Sequence, residues 1–359
     1  MSPREAMLYE KLDEQKVRCE LCGHRCVIDA GKYGVCHVRE NVDGVLKTHT
    51  YGALIAFNVD PIEKKPLFHF LPGTRSVSIA AAGCNFQCAF CQNWQISQSP
   101  RDGRRVQGQA VTPEQVVSAA ENYDCESISY TYTEPTVFFE FAYDTAKLAR
   151  ERGILNCFVS NGYLTPLGVK TIAPVLDAIN VDLKAFRDET YREIMKARLE
   201  PVLTCLKALV AAGIWVEVTT LVVPGMNDSR EELRDIAQFI ATELGPRVPW
   251  HVSRFRGDYK MNGTPTTPIE TLRMACDLGR EAGLKHVYSG NVPGEADEST
   301  RCPNCRAMLV ERMGYRVRRK ALRDGACPEC GESIAGVWTV EQGLAAKSPG
   351  ANSAQADCA

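Results

Sequence analysis

Between residues 75 and 293, short β-rich runs alternate with longer helical patterns, a rhythm that few folds accommodate. The runs fall at 76–82, 128–131, 155–160, 179–183, 215–223 and 250–255, with a weaker seventh at 286–289. Physical start signals mark the helices between them. Thr112-Pro113-Glu114-Gln115 and Thr267-Pro268-Ile269-Glu270 each join a capping box to proline at the first helical position, and Ser229 with Glu232 makes another box. Strand alternating with helix calls for a parallel sheet with crossover helices, either a (β/α) barrel, whole or partial, or an open doubly wound sheet.

The polar and glycine-containing segments tilt that choice, because they follow the strands: Gly83-Cys84, Thr133-Glu134-Pro135, Ser160-Asn161-Gly162, Asp182-Leu183-Lys184 and Pro224-Gly225. A parallel barrel gathers such positions at the rim where these folds place their chemistry. The expected fold class is therefore α/β, with a partial parallel (β/α) barrel over residues 70–295.

With 42 basic and 44 acidic side chains among 359 residues, no global field draws this chain to nucleic acid or anionic lipid. No apolar run reaches the roughly 18 residues of a spanning helix, and MSPREAMLYEKLDEQK lacks an apolar run for export, so a cytoplasmic protein with no membrane partner is expected. Against that background, 16 cysteines stand out. A reducing cytosol disfavours stable disulfides, and clustered cysteines there more often bind metals or act in catalysis. Cys157, Cys205 and Cys276 lie in apolar periodic segments and read as small buried hydrophobes. Cys125 and Cys358 are also isolated.

The other eleven cysteines form three clusters that divide the chain: a cysteine-rich metal-binding segment over 1–65, the barrel, a zinc-ribbon-like module over 296–340, and a disordered tail over 341–359. The central cluster, Cys84-x3-Cys88-x2-Cys91, directly follows a strand. Three thiolates on one loop can hold three corners of an iron-sulfur cube and leave the fourth iron open to a substrate. The alternative is a zinc site completed by a distant residue, with Cys125 as the fourth ligand.

This trio, with Phe90 just before its last cysteine, resembles the signature of the radical S-adenosylmethionine (SAM) superfamily. Thr133-Glu134-Pro135, Ser160-Asn161-Gly162-Tyr163, Asp182-Leu183-Lys184, Val222-Val223-Pro224-Gly225 and Trp250-His251 are similar, in order and spacing, to segments of pyruvate formate-lyase activating enzymes. With both flanking clusters, the chain most resembles the radical SAM member of the AmmeMemoRadiSam system. The resemblance implies a radical SAM barrel with a [4Fe-4S] cluster on Cys84, Cys88 and Cys91. It implies reductive cleavage of SAM to a 5′-deoxyadenosyl radical that abstracts hydrogen from a substrate, with electrons from a reductant protein such as flavodoxin or ferredoxin.

The matching positions acquire roles from that resemblance. Glu134, with the backbone near Thr133, would accept from the SAM ammonium. Ser160, Asn161 and Asp182 suit the methionyl or ribose parts, and Lys184 would offset the SAM carboxylate, unless Asp182 and Lys184 form an internal ion pair. Val223 and His251 would flank adenine, with Phe90 contacting it through its backbone. One departure stands out: activating enzymes carry Gly-Gly-Glu-Pro where this chain has Tyr132-Thr133-Glu134-Pro135, and side chains restrict backbone that glycine leaves open.

In the C-terminal module, Cys302-x2-Cys305 and Cys327-x2-Cys330 form two knuckles of a structural zinc ribbon, a reading preferred to a rubredoxin-type iron site. The strand-rich connection carries Arg312, Arg316, Arg318, Arg319, Lys320 and Arg323, a solvated hairpin or a contact for RNA or an acidic partner. The N-terminal Cys19, Cys22, Cys26 and Cys36 close a four-thiol site for zinc or a second iron-sulfur cluster, with His24 and His37 outside the ligand set. The functional expectation is a radical SAM enzyme similar to glycyl-radical activating enzymes. Its alternatives are direct modification of a small molecule or RNA, and a non-catalytic metal scaffold or electron carrier.

Overall fold

A computed structural model describes residues 3–102, 106–292 and 298–347. Seven parallel strands form its centre: β2 (Arg75–Ala81), β3 (Ser127–Tyr130), β4 (Leu155–Ser160), β5 (Ala178–Asp182), β6 (Trp215–Val222), β7 (Trp250–Arg254) and β8 (Val287–Gly290). They pair in sequence order from β2 to β8. An eighth strand, β1 (Ala53–Pro61), runs antiparallel along the outer edge of β2, so part of the expected N-terminal segment belongs to the core sheet.

Cys84 follows β2 and Asn291 follows β8, yet both line one cavity. A flat sheet would hold those ends about 29 Å apart, six spacings of roughly 4.8 Å, so the sheet must curl. Among the described residues β2 and β8 do not pair, which leaves the barrel open at that seam.

The crossovers are helical: α1 (Pro113–Asn122), α2 (Phe139–Glu151), α3 (Pro166–Ile172), α4 (Leu199–Ala211), α5 (Arg230–Phe239) and α6 (Ile269–Glu281). The start signals fare unequally. Thr112 and Gln115 form the full reciprocal box at α1. Ser229 caps α5 through the Glu232 backbone, but the Glu232 carboxylate turns away to accept from the Phe186 N–H at 2.6 Å. At α6 the expected box does not form. The Thr267 hydroxyl instead accepts from the Phe255 N–H and donates to the Val222 carbonyl, two buried backbone groups that would otherwise lack partners.

Residues 62–71 form the floor of the barrel. Asn180, inside β5, donates to the Pro66 carbonyl at 2.8 Å, and Glu217, inside β6, accepts from the N–H groups of Phe68 and His69 at 3.0 and 2.8 Å. Ile62, Leu67, Phe70 and Leu71 pack there against Leu155, Cys157 and Ala178 at the starts of β4 and β5.

The C-terminal module docks on the same floor. Val337 pairs with the backbone of His69 and Leu71, while Arg312 donates to the Phe68 carbonyl and lies 3.5 Å from Glu63. Arg312 is therefore buried, correcting its assignment to a solvated or RNA-facing hairpin; Arg316, Arg318, Arg319, Lys320 and Arg323 remain exposed. The expected tail is corrected as well. Residues 340–345 form α7 (Val340–Ala345), capped by Thr339 and packed through Gly343 so closely on β4 that a Cβ there would meet Leu155 Cδ1 at 2.3 Å. Cys358 and the rest of that tail from residue 348 lie outside the described residues, as does the expected boundary at 295.

Candidate functional site

The chain reaches Cys84 from β2 through Gly83, whose φ is +111°; a Cβ there would come within 2.9 Å of Val38 Cγ1. Only glycine makes that turn without displacing a neighbour. The loop then carries Cys84, Cys88 and Cys91 along the wall of a cavity of about 510 Å³ at the C-terminal ends of the strands. The Cys84 sulfur accepts from the Phe86 N–H at 3.3 Å, and Cys91 Sγ lies 3.3 Å from Ser97 Oγ. Burial pushes the Cys88 thiol up to about 12 and raises Cys84 as well, so binding a metal here must release protons.

The spacing of these sulfurs bears on what they can hold. A single tetrahedral zinc, with bonds of about 2.3 Å, sets its thiolates about 3.8 Å apart. Cys302 and Cys330, and Cys305 and Cys327, are each 3.6 Å apart, and all four sulfurs lie within 4.8 Å of one another, a geometry that can bind one metal ion. Cys84, Cys88 and Cys91 do not gather within 4.8 Å of one another. Nor does Cys125 complete them. It precedes β3, whose start is in register with the start of β2, so it sits a strand length of roughly 20 Å from Cys84.

Phe90, Thr133, Glu134, Ser160, Asn161, Asp182 and Lys184 line the same cavity as the trio. Glu134 is wholly buried and held from four directions. Its Oε1 accepts from the Thr136 N–H, the Thr136 hydroxyl and the Ser160 hydroxyl, and its Oε2 accepts from the Asn161 N–H at 2.8 Å. Burial nevertheless raises its pKa above the usual carboxylate range. Asp182 and Lys184 form the internal pair at 2.7 Å. Burial would lower the lysine, but Asp182 and Cys88 outweigh it and hold the ammonium above its ordinary range.

Val223 and His251, the expected adenine neighbours, do not line this cavity. Val223 is fully buried off the cavity, its N–H donating to Asn227 Oδ1, because β6 ends one residue earlier and the chain turns inward. Pro224-Gly225 also does not reach the cavity; β6 presents Thr219 and Leu221 instead. His251 is 2.7 Å from Glu217 Oε2 and lines a second cavity of about 800 Å³ that shares Lys64, Gln92, Ser253, Asn291 and Tyr315 with the first.

Sequence reading missed a polar group at the rim. Lys64, Lys65 and Tyr132 line the cavity, and Asp60 accepts from Lys65 at 2.6 Å, from Lys64 at 2.9 Å and from the Tyr132 hydroxyl. Tyr132 has φ +61°, the left-handed conformation that glycine adopts without strain. The departure from Gly-Gly-Glu-Pro thus falls on a strained position held by the phenol and by Lys65 over its ring at 4.7 Å. A charge inside an apolar strand was the available signal for Glu217; the Asp60 group carried none.

Residues 78–240 match the radical SAM superfamily. An uncharacterized protein of Methanocaldococcus jannaschii is 50% identical over 333 residues, covering 92% of this chain and 98% of its own. A pyruvate formate-lyase-activating enzyme of Clostridium pasteurianum is 26% identical over 204 residues (53% of this chain, 81% of the relative). A benzylsuccinate synthase activating enzyme of Thauera aromatica is 24% identical over 177 residues, or 44% and 52% of the two chains. The chain belongs to the radical SAM superfamily and is similar, within it, to the pyruvate formate-lyase activating enzymes.

Proposed function

We propose that Cys84, Cys88 and Cys91 hold a [4Fe-4S] cluster whose open iron binds SAM, and that the chain abstracts hydrogen from a substrate entering from the adjoining cavity. The observation that carries this reading is convergence: the trio and the polar ends of four further strands meet around one cavity. The residues fit such a cofactor, since buried Asn161 Oδ1 and Thr219 Oγ1, both on side chains lining the cavity, have no hydrogen-bond partner. When bound, the cluster and SAM supply reductive cleavage of the sulfonium and a carbon-centred radical. The protein binds and aims: Asp182 and Lys184 present paired charges and Glu134 a carboxylate fixed by four donors. Structural zinc in the ribbon quartet belongs to the same reading.

Anaerobically reconstituted protein should form 5′-deoxyadenosine from SAM under strong reductant, and Cys88→Ala should abolish it. Turnover that persists in the variant rejects the assignment.

The names of the relatives favour a protein substrate activated as a glycyl radical. The adjoining cavity, with Arg254, Arg256 and Lys64 in its wall, and the five exposed basic side chains of the hairpin favour direct modification of a small molecule or RNA. A persistent radical on a candidate partner protein decides for the first; consumption of SAM with a nucleotide or other anionic small molecule decides for the second.

A further inference from the structure

Cys19, Cys22, Cys26 and Cys36 line one internal cavity together with Arg39 and Asn85. Their loops come from a small three-stranded sheet of Tyr9–Lys11, Val17–Cys19 and Val27–Ile28. The loop carrying Cys22 clips onto the barrel just past β4: Cys22 bridges Leu164, and the Gly23 N–H donates to the Tyr163 carbonyl at 2.8 Å. His24 also lines the cavity, but its Nε2 lies 2.8 Å from the Asn85 carbonyl; His37 is exposed.

One fact favours a cluster over a single ion at this cavity, and a second points to a bound anionic acceptor. Among the described residues, only the ribbon quartet gathers three or more ligand atoms within 4.8 Å of one another, and no three of these four sulfurs do. The same fold thus contains a zinc-sized quartet and a wider one. The second fact is a pair of orphaned donors. Arg39 Nη1 and Asn85 Nδ2 are buried and have no hydrogen-bond partner, on residues only 3% and 1% exposed that line the cavity. Leaving such groups unpaired in the interior is costly, and more so for a charge. The sulfides and thiolates of a cluster are anionic acceptors of the kind these N–H groups lack.

We infer that Cys19, Cys22, Cys26 and Cys36 hold a second [4Fe-4S] cluster, fully ligated by thiolates and stabilised by Arg39 and Asn85. With no open iron, it can carry an electron but offers a substrate no metal site. It lies beside the trio. Arg101 donates to the carbonyls of Val35 and Cys84 at 2.9 and 2.8 Å, and Asn85 Oδ1 accepts from Asn161, which lines the trio's cavity, at 2.7 Å.

The test removes the trio and leaves the quartet. A Cys84→Ala, Cys88→Ala, Cys91→Ala protein, reconstituted without oxygen, should retain about four iron and about four acid-labile sulfide per chain and give, on reduction, a cluster spectrum indifferent to SAM. Iron near zero, whatever the zinc content, overturns the inference, as does iron without sulfide, which would belong to a single-ion site. Adding Cys22→Ser and Cys26→Ser should abolish the remaining iron while the circular dichroism of the barrel persists; iron retained at about four per chain overturns the assignment to this quartet.

Discussion

Arg39 Nη2 donates to both carboxylate oxygens of Glu140, at 2.9 and 2.8 Å, and neither side chain is more than 3% exposed. The pair joins the N-terminal cysteine segment to the start of α2, and it leaves the other guanidinium nitrogen buried without a hydrogen-bond partner. Glu140 also accepts from the Met7 N–H.

Glu140→Ala strands a buried cation. Breaking such a pair from one side costs about 3–5 kcal/mol, because the remaining charge has no water to turn to. Urea unfolding should show a loss in that range; a change under about 1 kcal/mol would mean that Arg39 finds another partner.

Tyr132→Phe keeps the left-handed backbone but removes one donor to Asp60. Burial pushes the Asp60 pKa up, yet Lys65, Tyr132 and Lys64 together hold it below the usual carboxylate range. A depressed carboxylate contributes stability above its unfolded pKa, and that contribution disappears as pH falls through the folded value. The variant should therefore lose about 1–3 kcal/mol at neutral pH and unfold at higher pH in an acid titration. An unshifted acid midpoint would show that the phenol does not support Asp60.

Lys184→Met removes the cation beside Asp182 from the cavity wall. If it faces the SAM carboxylate, isothermal titration of the reconstituted protein should show affinity reduced roughly tenfold to a hundredfold, the worth of one charged hydrogen bond. Val223→Ala alters a residue buried off the cavity and should leave SAM affinity within about threefold, less than 1 kcal/mol. Equal losses in both variants would place adenine against Val223 after all.

Cys302→Ala should cost the ribbon its metal. Cys302 and Cys327 are buried in a small cluster with Leu309, Val310, Ile334 and Trp338, too little apolar surface to fold without an ion. Metal analysis should find about one zinc fewer per chain, and limited proteolysis should cut between residues 298 and 347. Unchanged zinc and protection would contradict a metal-dependent ribbon.

The sequence alone determined the local features whose period or spacing is set by neighbours in the chain. These include the parallel strands, matched to within about two residues at every end, the Thr112 cap, and the three cysteine sets. The strands are buried on both faces and read as short apolar runs bounded by turn signals, and a C-x-x-C knuckle needs only one turn. Features set by long-range packing were not legible. Tertiary structure alone decided that residues 62–71 floor the barrel, that Arg312 is buried, and that Thr267 serves β6 rather than its own helix. It also decided that Val223 lies off the cavity and that the two four-cysteine sets differ in width. The first three depend on which buried backbone group finds its partner only after the strands have curled, and that partner lies tens or hundreds of residues away in the chain.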